Sequence, residues 1–155
     1  MAATVSLSRR VDGALALLRV IAGTVFIAHG AQKLFVFGFA GVTGAFGQMG
    51  VPLPGIVGPS IALLEFFGGM ALVLCLGTRL VSLGLASTMV GAILLVHLPA
   101  GFFNPAGIEF PLALLGINLA LVLAGAGAYS IDALIAGRRG GQIAGPALET
   151  RRKAA

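Results

Sequence analysis

The chain has 155 residues, of which 58% are hydrophobic and only 10% are charged. A soluble domain is about 45–50% apolar and about 25% charged, so this sequence cannot form a water-facing shell. A soluble enzyme and a nucleic-acid-binding protein are therefore excluded, and the net charge of +5 is interpreted as a signal of membrane topology. The one cysteine, Cys75, rules out intramolecular disulfides and dithiol chemistry within the chain.

Four apolar runs are long enough to be membrane helices, because a bilayer core needs about 20 apolar residues per helix. They cover residues 14–35, 55–76, 80–98 and 110–126. We therefore predict an all-α fold, a polytopic membrane four-helix bundle over residues 1–135, followed by a basic, glycine-rich cytoplasmic tail over residues 136–155. Residues 36–54 are predicted to be a long connecting segment, residues 77–79 a tight hairpin, and residues 99–108 a loop.

The basic residues predict the orientation. If both termini lie on one side, the other side carries only Lys33, near the end of the first helix. The positive-inside rule then places both termini in the cytoplasm. The basic residues on the terminal side are Arg9, Arg10, Arg79, Arg138, Arg139, Arg151, Arg152 and Lys153.

Small residues indicate where the helices touch. Gly68 and Gly69 lie in the middle of the second helix, and Gly77, Gly84 and Gly91 recur every seven positions along the third. Helices in lipid associate by close packing, so these glycines are predicted to mark contact faces.

Six ionisable residues stand in or near the spans, where an unpaired charge costs roughly 2.5–3.5 kcal/mol. At about 100° per residue, three of them share one face of the first helix and should point into the bundle. We predict an ion pair between Arg19 and Glu65. Either this pair only sets the helix register, or Glu65 acts as a proton-relay or quinone-facing carboxylate. The six residues are Arg19, His29, Lys33, Glu65, His97 and Glu109.

Four of these residues are predicted to cluster at the end of the bundle opposite the termini: His29, Lys33, His97 and Glu109. Two imidazoles, an ammonium and a carboxylate could bind a quinone or a small anion and exchange protons. The two histidines and Glu109 also form a metal-ligand set, although no local ligand motif supports it. In the simplest alternative these residues cap helices, and Lys33 pairs with Glu109.

The ordered set of these residues resembles the DoxX family of small bacterial four-helix membrane proteins. The resemblance runs from Arg19 to Asp132 and includes the stretch HGAQKLF at 29–35, Glu65 before Gly68 and Gly69, and His97. Its remaining parts are Gly50 and Pro52, Thr78 and Arg79, Gly107 and Glu109, and GAYSID at 127–132.

The resemblance implies a multi-pass protein of the bacterial cytoplasmic membrane. It also implies a link to quinone-dependent oxidation of thiosulfate and to membrane oxidoreductase complexes that handle thiols and oxidants. We therefore expect a membrane subunit of a quinone-linked oxidoreductase, with quinone as the cofactor and no metal. The candidate site residues follow from their expected burial and facing and not from the resemblance. Glu65, His29 and His97 are the candidate catalytic residues, and Arg19, Lys33 and Glu109 the candidate ligand-binding residues.

The expected partners are the lipid bilayer, other subunits of a membrane redox complex, and a second copy of the chain. The alternative function is a non-catalytic membrane scaffold that docks other proteins. A small-molecule transporter or lipid-binding protein is a third hypothesis, and transport by four helices would require a dimer.

Overall fold

The computed structural model describes residues 2–128, with side chains from residue 9 onward, and these residues are entirely helical apart from their connections. The predicted tail at 136–155 lies outside this range. The helices are α1 (Ala2–Ala31), α2 (Gly38–Gln48), α3 (Pro54–Val73), α4 (Thr78–Ala92) and α5 (Glu109–Ala124). A π-helical segment, Gln32–Phe37, joins α1 to α2. A second, Ile93–His97, extends α4 into a short 3-10 turn, Leu98–Ala100.

The helical fold of the described residues confirms the predicted all-α class. Within residues 2–128, three helical stretches are long and apolar enough to cross a bilayer, namely Arg9–Gln48, Pro54–Val73 and Thr78–Ala100. The fourth, α5, has 16 residues and is therefore about 24 Å long, slightly less than the hydrocarbon core of about 30 Å.

Four of the helices close into a ring around one apolar core. α3 packs against α1 and α4, and α5 packs against α4 and α1. The buried residues that these helices share include an aromatic ring from α1 and leucines from α3, α4 and α5. They are Ala22, Phe26, Leu72, Leu85, Met89, Leu114 and Leu121.

The segment between the first two predicted spans differs from the prediction. Residues 36–54 were expected to be a connecting segment, but most of them form the end of the first π segment and α2. Regular helical geometry is interrupted at Gly38, whose φ of +65° favours glycine. α2 then packs on α3, with Val42 buried against Gly58. This apolar contact outweighs the low helix propensity of a segment rich in glycine.

Glycines bring the backbones of α1 and α3 into direct contact. A Cβ on Gly23 would lie 2.7 Å from the carbonyl oxygen of Gly69, and a Cβ on Gly30 would lie 2.4 Å from the backbone nitrogen of Phe66. Gly69 therefore lies on a contact face of α3, as predicted. Gly68 faces α4 instead, since a Cβ there would lie 3.4 Å from a methyl group of Val81.

The predicted seven-residue glycine stripe is correct only in its centre. A Cβ on Gly84 would lie 3.3 Å from the side chain of Leu64 in α3, so Gly84 is a helix contact. Gly77 instead precedes α4 with a φ of +56°, and a Cβ on Gly91 would meet nothing within 4 Å. The stripe is not a continuous contact face because Gly77 serves the hairpin turn and Gly91 faces open space.

We expect the Gly30→Ala substitution to destabilise the protein, because its new methyl group would collide with the backbone of α3. Overpacking of this kind costs about 1–3 kcal/mol. The measurement is thermal unfolding in detergent. Gly116→Ala in α5 is the matched control, because a Cβ there would meet nothing within 4 Å. Equal stability of the two variants would contradict the close contact of α1 and α3.

Candidate functional site

An ion pair between Lys33 and Glu65 lies inside the bundle. The Lys33 ammonium, on the first π segment, donates a hydrogen bond to Oε2 of Glu65, in the middle of α3. The Glu65 side chain is 6% exposed and that of Lys33 is 19% exposed. Each charge is therefore stabilised by the other in a region where an isolated charge would be unfavourable.

The predicted Arg19–Glu65 ion pair is wrong. Arg19 is buried, at 2% exposure, and its Nη1 donates to the carbonyl oxygen of Ala126, just beyond the end of α5. Carbonyls beyond the end of a helix have no partner within it, and the buried guanidinium satisfies one of them, that of Ala126. Arg19 stands near the level of these carbonyls, whereas Glu65 lies deeper in the bundle and is reached by Lys33 from the other end.

Two cavities meet at the Lys33–Glu65 pair. The larger, of about 540 Å³, lies between α2, α3 and α4, and the smaller, of about 270 Å³, lies between α1, α4 and α5. Both are lined by the two charged residues and by three residues of α4 and its π extension. This shared wall consists of Lys33, Glu65, Met89, Ala92 and His97.

His97 presents one ring nitrogen to the loop after α4. Its Nδ1 lies 2.6 Å from the carbonyl oxygen of Ala106. A carbonyl oxygen only accepts hydrogen bonds, so Nδ1 carries the proton in this contact, and Nε2 of the neutral ring is an acceptor. Because His97 lines both cavities, the loop orients a residue that can exchange protons.

His29 and Glu109 are placed differently from each other. His29 lines the smaller cavity, and its ring centre lies 5.8 Å from that of Phe110. The carboxylate of Glu109 instead accepts a hydrogen bond of 2.7 Å from the backbone nitrogen of Asn104 and stabilises the loop. Of the four residues predicted to cluster, the structure brings together His29, Lys33 and His97 around the smaller cavity. Glu65 lines this cavity as well, whereas Glu109 lines neither of the two cavities.

Two of the earlier alternatives fail because of the contacts that Lys33 and Glu109 make. Lys33 is paired with Glu65, so the alternative Lys33–Glu109 pair is wrong. Because Glu109 faces the loop, the proposed metal set of His29, His97 and Glu109 is not assembled. Among residues 2–128, no three histidine, cysteine, aspartate or glutamate side chains form a possible metal site.

Sequence reasoning missed the π-helical segments that carry Lys33 and His97. Such segments are rare, accounting for well under 1% of residues, and they occur frequently at functional sites. It also missed Met89 and Ala92 in the shared wall, because an apolar residue in an apolar helix gives no signal. The four-residue spacing of His29 and Lys33 did indicate that both side chains serve one face.

The comparisons with known proteins identify the family. A family model named DoxX matches residues 14–98, which include all five residues of the shared wall and His29. The chain belongs to the DoxX family. It is therefore a membrane protein, as the apolar helices indicate.

Three relatives match most of the chain. One is "Putative oxidoreductase CatD" of Bacillus subtilis, 40% identical over 105 residues, which are 68% of this chain and 75% of the relative. Another is the inner membrane protein YqjF of Escherichia coli, 34% identical over 125 residues, which are 80% and 93% of the two chains. An uncharacterised protein of Haemophilus influenzae is also 34% identical, over 122 residues. No solved structure matches the chain significantly.

We expect Arg19 and Lys33 to differ in their energetic coupling to Glu65. Removing one partner of a buried pair costs about 3–5 kcal/mol, and removing both restores much of that stability. Lys33→Met and Glu65→Leu should therefore be strongly non-additive. Arg19→Met and Glu65→Leu should add to within about 0.5 kcal/mol, because the two residues are in different contacts.

Unfolding of the single and double variants in detergent, monitored by circular dichroism, measures both couplings. Coupling of Glu65 to Arg19 and not to Lys33 would contradict the ion pair described here.

Proposed function

We propose that the protein is a quinone-binding membrane subunit of an oxidoreductase system and that the quinone head binds at the shared wall. The observation that carries this proposal is the meeting of two cavities at the Lys33–Glu65 pair and His97. Ligand pockets are mostly apolar clefts of about 300–1,000 Å³ with a few convergent polar groups, which is the combination found here.

The residues present fit a quinone. Its two carbonyl oxygens need hydrogen-bond donors, and its ring needs an apolar surround. The ammonium of Lys33 has three N–H donors, of which Glu65 accepts at least one. Met89, Ala92 and Phe26 provide apolar surface around the smaller cavity. A bound quinone would supply an acceptor for two electrons and two protons.

Each polar residue has a distinct role in this proposal. Lys33 orients a carbonyl oxygen of the ring, and Glu65 keeps the ammonium charged and in place. His97, held at Nδ1 by the carbonyl of Ala106, takes up or delivers a proton at Nε2. His29 lies toward the exposed side of the smaller cavity and passes protons between His97 and water.

The electrons come from another protein in this proposal. The chain has one cysteine, so it cannot form the dithiol–disulfide pair that would supply two electrons from within the chain. A partner that oxidises a thiol or a sulfur compound would deliver them, and the quinone would take up two protons to become the quinol. The relative CatD, which carries the words "Putative oxidoreductase" in its name, supports a redox role.

We further propose that the chain crosses the bacterial cytoplasmic membrane four times and has both termini in the cytoplasm. Asp12 of α1 accepts a hydrogen bond of 2.9 Å from the backbone of Ala128, and Arg79 donates one of 3.3 Å to the carbonyl of Leu123. The start of α1, the α3–α4 hairpin and the end of α5 are thus at the same end of the bundle. This end also carries Arg9 and Arg10, and the positive-inside rule assigns it to the cytoplasm.

Quinone binding by the purified protein tests the function. The Lys33→Met/Glu65→Leu double variant should remain folded but weaken quinone binding by about tenfold or more, because it lacks the donor. His97→Phe should retain binding and lose activity of the complete redox system. Thr24→Val is the control, because Thr24 bonds to Val20 within α1 and lines neither of these cavities.

Unchanged quinone binding in the double variant would contradict the proposal. The proposal would also be contradicted if the purified redox complex reduced quinone at the wild-type rate both with the Lys33→Met/Glu65→Leu double variant and with His97→Phe. A stoichiometric protein partner that co-purifies without quinone, and equally with wild type and double variant, would instead favour the scaffold function.

A further inference from the structure

The larger cavity runs along the interface of α3 and α4. From α3 it is lined by Val57, Ile61 and Leu64, spaced as successive turns of one helical face. From α4 and its extension it is lined by residues between Gly84 and His97, a stretch about 20 Å long at about 1.5 Å per residue. The cavity is therefore long relative to a single ring, and its sides are mainly apolar.

The α4 wall of this cavity is left open at a glycine, Gly91. A Cβ on Gly91 would meet nothing within 4 Å, although Gly91 lines the cavity. The hydroxyl groups of Ser87 and Thr88 donate to carbonyls of their own helix, those of Leu83 and Leu85. The α4 wall therefore offers space next to Gly91 and few polar groups that could hold water.

The cavity has an apolar rim on the surface of the protein. Leu95 is 47% exposed and Met49 is 44% exposed, and both line the cavity. In a bundle that spans the bilayer these exposed apolar side chains would contact lipid, and the rim would then provide a lateral entrance for a ligand dissolved in the bilayer. At the shared wall the same cavity reaches Lys33, Glu65 and His97.

We infer that the larger cavity binds the hydrocarbon tail of a membrane-borne quinone and that Gly91 determines whether a long tail is accepted. This inference rests on the proposed function, since it assigns the tail of the ligand whose head contacts the Lys33–Glu65 pair. The ligand class is therefore a lipid-soluble, long-tailed quinone that enters sideways between α3 and α4.

The test compares quinones that share a head and differ in the tail. Phylloquinone and menadione have the same naphthoquinone ring, with and without a long hydrocarbon chain. Decylubiquinone and its tailless parent provide the equivalent benzoquinone pair. Binding of each to wild type, Gly91→Leu and the control Gly116→Leu is measured in detergent. A Cβ at position 116 would meet nothing within 4 Å, and Gly116 lines neither cavity.

We expect Gly91→Leu to weaken binding of the tailed quinones by about tenfold or more, because the leucine occupies the tail's space. Binding of the tailless quinones should change little, and Gly116→Leu should resemble wild type. Equal effects of Gly91→Leu on tailed and tailless quinones would overturn the inference and leave the proposed head site intact. Failure of every quinone to bind wild type would overturn both.

Lipid extracted from the purified protein provides a second readout. Mass spectrometry should find a long-tailed quinone with wild type and with Gly116→Leu, and much less with Gly91→Leu. Recovery of phospholipid in place of quinone, also lost in Gly91→Leu, would assign the cavity to phospholipid and overturn the inference.

Discussion

The ion pair of Lys33 and Glu65 is the constraint on which the arrangement of the site depends. Two charges inside an apolar bundle are tolerated only when each neutralises the other. The pair joins the π extension of α1 to the centre of α3. It also forms part of the wall between the two cavities, so the groups that stabilise the interior are the same groups that a ligand would meet.

The rest of the bundle brings this pair together. Gly23, Gly30 and Gly69 let α1 and α3 approach through their backbones. Arg19 binds the end of α5 to α1, and the loop after α4 holds His97 through the carbonyl of Ala106. Close packing therefore provides the precision of the site, because lipid supplies no hydrophobic force between helices.

The sequence was sufficient to predict the membrane class, the helical fold, the DoxX resemblance and the shared face of His29 and Lys33. These predictions rest on composition, run length and helical spacing, all of which are local. The pairing of Glu65 was not predictable, because it depends on how far Lys33 reaches and on a carbonyl group that attracts Arg19. The helix at Gly38–Gln48 was missed because its glycine-rich sequence has a low helix propensity. Its stability comes from packing against α3, which local sequence does not reveal.

Solid-state NMR of the protein in liposomes tests the central claim most directly. The chain has only two lysines, Lys33 and Lys153, so the Nζ resonances are readily assigned with a Lys153→Arg variant. We predict a strong dipolar contact between Lys33 Nζ and the Glu65 carboxylate carbon, and a shift of both resonances when quinone is added. A contact between Lys33 and Glu109, or resonances that do not respond to quinone, would contradict the account.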